Sequence, residues 1–439
     1  MLGAARRVAA FASLAAALGA CSSEAIDRGG ASGGNAGTAG ASGSSGRGGS
    51  GGSSGAPSVA IPDYTQSPCY GEPATTDVYD LATHEVHAIS ATCRAEGDRV
   101  RFYVADDLWE TKADSDAPVL GQGEVDAFMA RYELVGSSKA VERTLGILPT
   151  DELVYGALTE SALTDGKLPI FVIDSSGAGD GYLCGWCDRP ALHLDGPLLR
   201  SLHTDTTLSI AAHETYHAIH RGYDADEEVW VDETLAQSAM IVNGFYTDQS
   251  WVDEFMHNTN QAWGPGVDDP HAFDYGAGLL FGTYLFEHGG VELLNAITHE
   301  PLNGWAGVDR ALETIGYPAT GFELWKDMAI AAFVNDVAAG YGFKSIELDS
   351  PVLPYDVGTG TTLTETLEPY GLMFVTFDSD AASVELDTTG NVSARLVLDG
   401  TPLEVREMAA NELVSFDGKA PRVLVLTAPA SAKLSVTAR

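Results

Sequence analysis

Hydrophobic and polar positions follow three rhythms along the chain. From Pro57 to about Gly222, strand and helix signals are mixed. Arg99-Val100-Arg101-Phe102-Tyr103-Val104 alternates polar with apolar residues, which predicts a strand with one buried face. Val125, Phe128, Met129 and Tyr132 recur at helical spacing within Gly123–Leu134. Leu168 to Asp174 opens as a continuous apolar run and predicts a strand buried on both faces, with a shorter strand at Ala191–Asp195. From about Tyr223 to Tyr341 the period is helical. Tyr275–His288 is apolar on several faces and should stop at Gly289-Gly290, and its small residues Gly276, Ala277, Gly278 and Gly282 would admit a close neighbour. Amphipathic helices are expected at Val308–Ile315 and Phe322–Asn335. From about Ser350 the pattern changes to short strands, Leu372–Phe377, Ser393–Leu398 and Arg422–Leu426, separated by turn residues, as in a small β-sandwich.

The first 56 residues carry no folding pattern. Arg6 and Arg7 precede an apolar stretch from Val8 to Leu18, the form of an export signal and too short to span a bilayer. Leu18-Gly19-Ala20-Cys21 resembles the lipobox of bacterial lipoproteins. That resemblance implies removal of residues 1–20 and a lipid on Cys21 holding the protein to the cell envelope, at the periplasmic or the outer face. Residues 28–56 are Gly, Ser, Ala, Thr and Asn with two Arg, and read as a flexible tether.

Charge narrows the classes of function. The chain has 24 Lys plus Arg against 62 Asp plus Glu, a net of −38. Only four basic and two acidic residues precede Pro57, so the body carries 20 against 60. Such a body repels phosphate, which argues against nucleic-acid partners and against anionic membrane surfaces. Membrane contact is expected only through the lipid on Cys21, and the protein is expected to be a monomer.

Cysteine usage agrees with export. With Cys21 assigned to the lipobox, Cys69, Cys93, Cys184 and Cys187 remain, an even number suited to disulfides. Three pairings are possible, and the nearest-neighbour pairing, Cys69–Cys93 with Cys184–Cys187, is the expectation. A lone CxxC at Cys184–Cys187 could also be redox-active or bind zinc. With neither a thioredoxin-like context nor a second CxxC present, the structural bridge is preferred.

The chemistry resides in His213-Glu214-Thr215-Tyr216-His217, an HExxH within the helix-compatible stretch Thr207–Arg221, with Asp205, Thr206 and Thr207 as candidate N-caps. Spacing i, i+4 sets both imidazoles on one face, one turn apart, so two nitrogens can share one tetrahedral Zn²⁺. Glu214 is placed to act as the general base on water activated there. A metzincin would continue HExxHxxGxxH, but His220 and Tyr223 stand where the glycine and third histidine belong.

Sixteen residues beyond His217 comes Glu233, in Trp230-Val231-Asp232-Glu233-Thr234-Leu235-Ala236. This run resembles the W-L-N-E-G-L-A helix of the gluzincins, with Asp232 in place of Asn and Thr234 in place of Gly. Val104-Ala105-Asp106-Asp107-Leu108-Trp109 and Asp274-Tyr275-Gly276-Ala277 extend the likeness to hyicolysin-like and peptidase-MA-like enzymes over about Cys93–Asn335. The resemblance implies a metal site of His213, His217 and Glu233, with Glu214 as catalytic base and Tyr275 or His271 as donor to the oxyanion. It also implies that the strand before the zinc helix, Ala191–Asp195, is the sheet edge that takes up an extended peptide. His220 reads as a residue around the site rather than a fourth ligand, because a fourth would close it. Asp232 could steady a ligand histidine or face solvent. The acidic runs Asp114–Asp116, Asp224–Glu228 and Asp268-Asp269 are read as solvated surface; Ca²⁺ binding there is the lesser reading, since none has the spacing of an EF-hand loop.

The expectation is an α+β, zincin-like, two-lobed catalytic domain over 57–345 and a C-terminal β-sandwich over 346–439, following a signal peptide (1–20) and a tether (21–56). Its function would be zinc-dependent hydrolysis of a polypeptide substrate. An endopeptidase is preferred, because the G-x-M-E-N motif of related aminopeptidases is missing. The competing reading is a catalytically silent zincin-fold binding or adhesion lipoprotein.

Overall fold

The computed structural model describes residues 60–80, 85–110, 120–175, 180–184, 190–199, 201–246, 249–265 and 272–439. The leader, Cys21 and the tether lie outside them, as do Cys187, His271, Asp114–Asp116 and Asp268-Asp269. The fold is mixed α+β with a β-rich C-terminal region.

The first sheet has six strands: β1 (Pro73–Asp80), β2 (Glu85–Glu96), β3 (Val100–Ala105), β4 (Leu168–Ile173), β5 (Gly181–Cys184) and β6 (Ala191–Asp195). They lie in the order β1-β2-β3-β4-β6-β5. β3, β4 and β6 run parallel to one another, and the remaining pairs are antiparallel. β3 alternates buried and half-buried residues, whereas β4 is buried at every position because helices or neighbours cover both faces, as its unbroken apolar run predicts. β6 is also buried throughout and is not an edge. The expectation placed the edge one strand too late: the reversal at β5 puts Gly181–Cys184 outermost.

The Cys69–Cys93 disulfide ties the segment before β1 to β2. Cys184 is also disulfide-bonded, with its partner outside the described residues.

The helices are α1 (Gln122–Met129, continued by a wider turn to Leu134), α2 (Ile147–Tyr155), the short α3 (Gly196–Leu199), α4 (Asp205–His220), α5 (Val229–Val242), α6 (Ser250–His257), α7 (Ala272–Thr298), α8 (Gly304–Thr314) and α9 (Gly321–Val334). α7 is broken at Gly290, whose φ of +66° is open to glycine, so the expected stop is a kink followed by two more turns. Its small residues permit the close packing expected of them. A Cβ at Gly276 would lie 2.2 Å from the Trp251 carbonyl oxygen of α6, and one at Gly282 2.4 Å from the Thr234 carbonyl oxygen of α5.

After α9 come β7 (Tyr355–Val357), β8 (Thr362–Leu367), β9 (Met373–Phe377), β10 (Ser383–Thr388), β11 (Ser393–Leu398), β12 (Glu404–Met408), β13 (Glu412–Ser415), β14 (Pro421–Thr427) and β15 (Ala432–Ala438). They form a four-stranded sheet, β13-β10-β15-β8, and a five-stranded sheet, β12-β11-β14-β9-β7. Leu396, Leu424 and Met373 of the larger sheet share one apolar core with Val384, Leu386 and Val436 of the smaller. The opposite face of the larger sheet, with Phe374, Val397, Val423 and Val425, joins the main core with the helices, and Phe374 stacks on Phe333 of α9. Burial on both faces explains why β14 carries the unbroken apolar run Val423–Leu426 and why β11 is apolar from Leu396 to Leu398, while β15 alternates.

Candidate metal centre

α4 is buried around almost its whole circumference, against β5 and β6 on one side and α2 and α5 on the other. Its cap is Thr204, one residue ahead of the expected candidates: the Thr204 hydroxyl oxygen accepts from the Thr207 N–H at 3.2 Å. Such burial is possible because Ala211, Ala212 and Ala218 leave room for neighbours. It also fixes the outward direction of His213 and His217 at one turn's separation.

The two imidazoles meet at their Nε2 atoms, 3.1 Å apart. α5 brings Glu233 to the same point, with Oε2 3.3 Å from His213 Nε2 and 3.8 Å from His217 Nε2. The three ligand atoms lie within 4.8 Å of one another, and among the described residues no other group of His, Cys, Asp or Glu converges in this way. Glu233 Oε2 is buried and has no hydrogen-bond partner despite its nearness to both rings. A buried carboxylate oxygen without a donor is costly, and a cation bound by all three atoms would remove that cost. Two imidazole nitrogens and one carboxylate oxygen suit Zn²⁺ and leave a coordination position free.

Asp232, beside Glu233, turns the other way along the helix and serves both outer histidines. His217 Nδ1 and the carboxylate are 2.9 Å apart, His220 Nδ1 and the carboxylate 2.6 Å. Burial opposes ionisation of Asp232, but the two imidazoles outweigh it and hold its carboxyl well below the usual range. An ionised carboxylate only accepts, so Nδ1–H donates in both contacts, and in the neutral form of His217 the lone pair at the shared point is that of Nε2. Burial also opposes a charge on His217. The carboxylates of Asp232, Glu233 and Glu214 nonetheless raise its pKa to about 10. The protein field here favours a positive charge, and a metal would displace the proton.

His220 is thus buried, stacked on Tyr216 and bonded to Asp232, and stands outside the converging group. Thr234 faces packing: its hydroxyl donates to the Trp230 carbonyl at 2.6 Å, and its backbone lies under Gly278 and Gly282.

Glu214 is buried beside the cluster. A cavity of about 10 Å³, one water's worth of room, is lined by Glu214 and His213 together with Asp180, Gly181, Met240, Trp251 and Tyr275. Tyr275 therefore reaches the site, with its ring stacked on Trp251 at 5.0 Å between centroids. Sequence reading missed Asp180, Gly181, Met240 and Trp251. Gly181 alone carries a local reason for its identity: a Cβ there would lie 2.7 Å from Ile210 and 3.4 Å from Glu214 Cγ. The acidic run before α5 is partly drawn inward. Glu227 accepts from the Gly304 and Glu228 N–H groups, and burial raises its pKa to about 7.

No family model matches the chain, and no curated protein matches it.

Proposed function

We propose that this chain is a zinc metallopeptidase of the gluzincin type with a zincin-like catalytic domain and a sandwich-like C-terminal appendage, exported and anchored to the cell envelope by a lipid on Cys21. The observation that carries this reading is the convergence of His213 Nε2, His217 Nε2 and the orphaned Glu233 Oε2 beside buried Glu214. His213, His217 and Glu233 would hold the ion, which supplies Lewis-acid polarisation of the scissile carbonyl. Glu214 takes a proton from the attacking water and returns it to the leaving amine. Tyr275, which lines the same small cavity, would donate its phenolic hydrogen to the oxygen on which charge develops. Asp232 holds the tautomer of His217 throughout. β5, with Gly181 over Glu214 and outermost among the described strands, replaces β6 as the strand along which an extended polypeptide would lie, and such a strand would take an internal stretch of chain, which supports an endopeptidase.

The test pairs zinc content with cleavage of an unstructured protein such as casein. Glu214→Gln should keep stoichiometric zinc and lose activity by about 10³-fold or more, and His217→Ala should lose both. Zinc binding by wild type without any hydrolysis would point instead to a silent binding module, and wild-type activity in Glu214→Gln would remove this residue from the reaction.

A further inference from the structure

A second cavity, of about 770 Å³, shares no lining residue with the one beside the metal centre. Its size is that of a small-molecule site. Much of its wall is apolar: Ile241 at the end of α5, Phe286 on α7, and Phe343, Ile346 and Leu348 on the connector from α9 to β7. Two lysines from separate segments, Lys139 and Lys344, also line it. Both are exposed, and neither side chain has an ion pair or hydrogen bond among the described residues.

In a chain so rich in acid, Lys167 is held by Glu96, Lys326 by Glu323 and Lys419 by Glu404; Lys433 on β15 shows no side-chain partner among the described residues either, but it stands outside this lining. Glu347 is the one acidic residue in the lining, so the wall carries a net +1 on a protein of −38. The segments that bear the lysines are pinned. The Val141 N–H donates to the Val242 carbonyl at 2.9 Å, and the Ser137 hydroxyl donates to the Gly244 carbonyl at 2.8 Å. On the other side, the Lys344 and Ser345 N–H groups both donate to Glu287 Oε1, and Gln249 Nε2 donates to the Glu347 carbonyl. The cavity is therefore a built feature rather than a gap between loose loops.

We propose that this cavity binds a free amphiphilic carboxylate, with its apolar body against the Phe286–Phe343–Ile346 wall and its carboxylate between Lys139 and Lys344. The apolar wall gives affinity by burying hydrocarbon, which inorganic anions cannot use. The lysines supply the sign: the net charge of the chain opposes an anion, these two ammonium groups locally favour one, and a cationic amphiphile would leave both unmatched. The site does not depend on the peptidase reading.

The experiment is calorimetric titration of the whole chain with decanoate, with decyltrimethylammonium and inorganic phosphate as comparisons. Decanoate should bind at one per chain. Lys139→Gln with Lys344→Gln should weaken it about tenfold or more. Glu347→Gln should tighten it about twofold to threefold, by relief of repulsion. The lysines are exposed, so an unchanged thermal midpoint for the double variant will show that folding is intact. The proposal is overturned if decanoate shows no saturable one-to-one binding, if the double variant binds it as wild type does, or if decyltrimethylammonium binds as tightly.

Discussion

The molecule gathers carboxylates in two clusters, and they are completed differently. Where α9 meets the five-stranded sheet, Arg395 of β11 reaches Glu323 at 2.5 Å, Asp327 at 2.5 Å and Glu407 at 2.6 Å, and Lys326 adds a second cation at Glu323. Where α4 meets α5, Asp232 and Glu233 gather with three histidines beside Glu214, and among the described residues the ion-pair partners of Asp232 and Glu233 are imidazoles. Burial of a charge is tolerated only with a partner: at the first cluster the buried charge is Arg395, matched by three partly exposed carboxylates, whereas at the second the partners of Asp232 and Glu233 are imidazoles. The same acidic composition thus serves structure in one place and, in the other, gathers donor atoms that a cation could join.

One effect that would sharpen this contrast is removal of the cation from the first cluster. Arg395→Met should destabilise the fold by about 1–2 kcal/mol in denaturant titration, because Asp327 and Glu407 lose their cation while Glu323 keeps Lys326 and all three carboxylates stay partly in water, and zinc stoichiometry per folded chain should stay at wild-type level. Loss of zinc in that variant would break the comparison, since the two clusters would then not be independent. In the second cluster, Asp232→Asn keeps the shape but removes the charge that orients His217. Zinc affinity, measured by competition with a chromophoric chelator, should fall about 10–100-fold. An unchanged affinity would mean that Asp232 serves His220 and packing alone.

The smallest effect concerns Glu227, which has buried N–H donors but no cation. Its pKa is raised from 4.5 to about 7, so the folded chain holds a proton that the unfolded chain has released over that interval. Stability therefore falls as pH rises from about 4.5 to about 7. Glu227→Gln cannot ionise and should be more stable than wild type by about 1 kcal/mol at pH 8, with no gain at pH 4, in paired thermal melts. An equal difference at both pH values would place its effect in packing rather than charge.

Much of the fold was legible because its signals are local. The unbroken run at Leu168–Ile173 can only be a strand covered on both sides, and Gly289-Gly290 marks where the α7 axis must change. The C-terminal strands were readable for the same reason. The edge strand was not: Gly181–Cys184 is four residues long, and its outer place depends on an antiparallel return beside β6 that no periodicity encodes. The cap was misplaced within Thr204–Thr207 because several hydroxyl residues compete there, and only the backbone turn selects Thr204.

At the metal centre the division is sharper. HExxH alone determines that two imidazoles share one helix face, since a helix repeats every 3.6 residues whatever surrounds it. The identities at Asp232 and Glu233 leave open which carboxylate joins the converging imidazole nitrogens and which meets the histidines from behind. That was decided by the crossing of α4 and α5, with α7 glycines drawn tight under Thr234, because the direction of one helix relative to another is set by packing across many residues and by nothing in either helix alone.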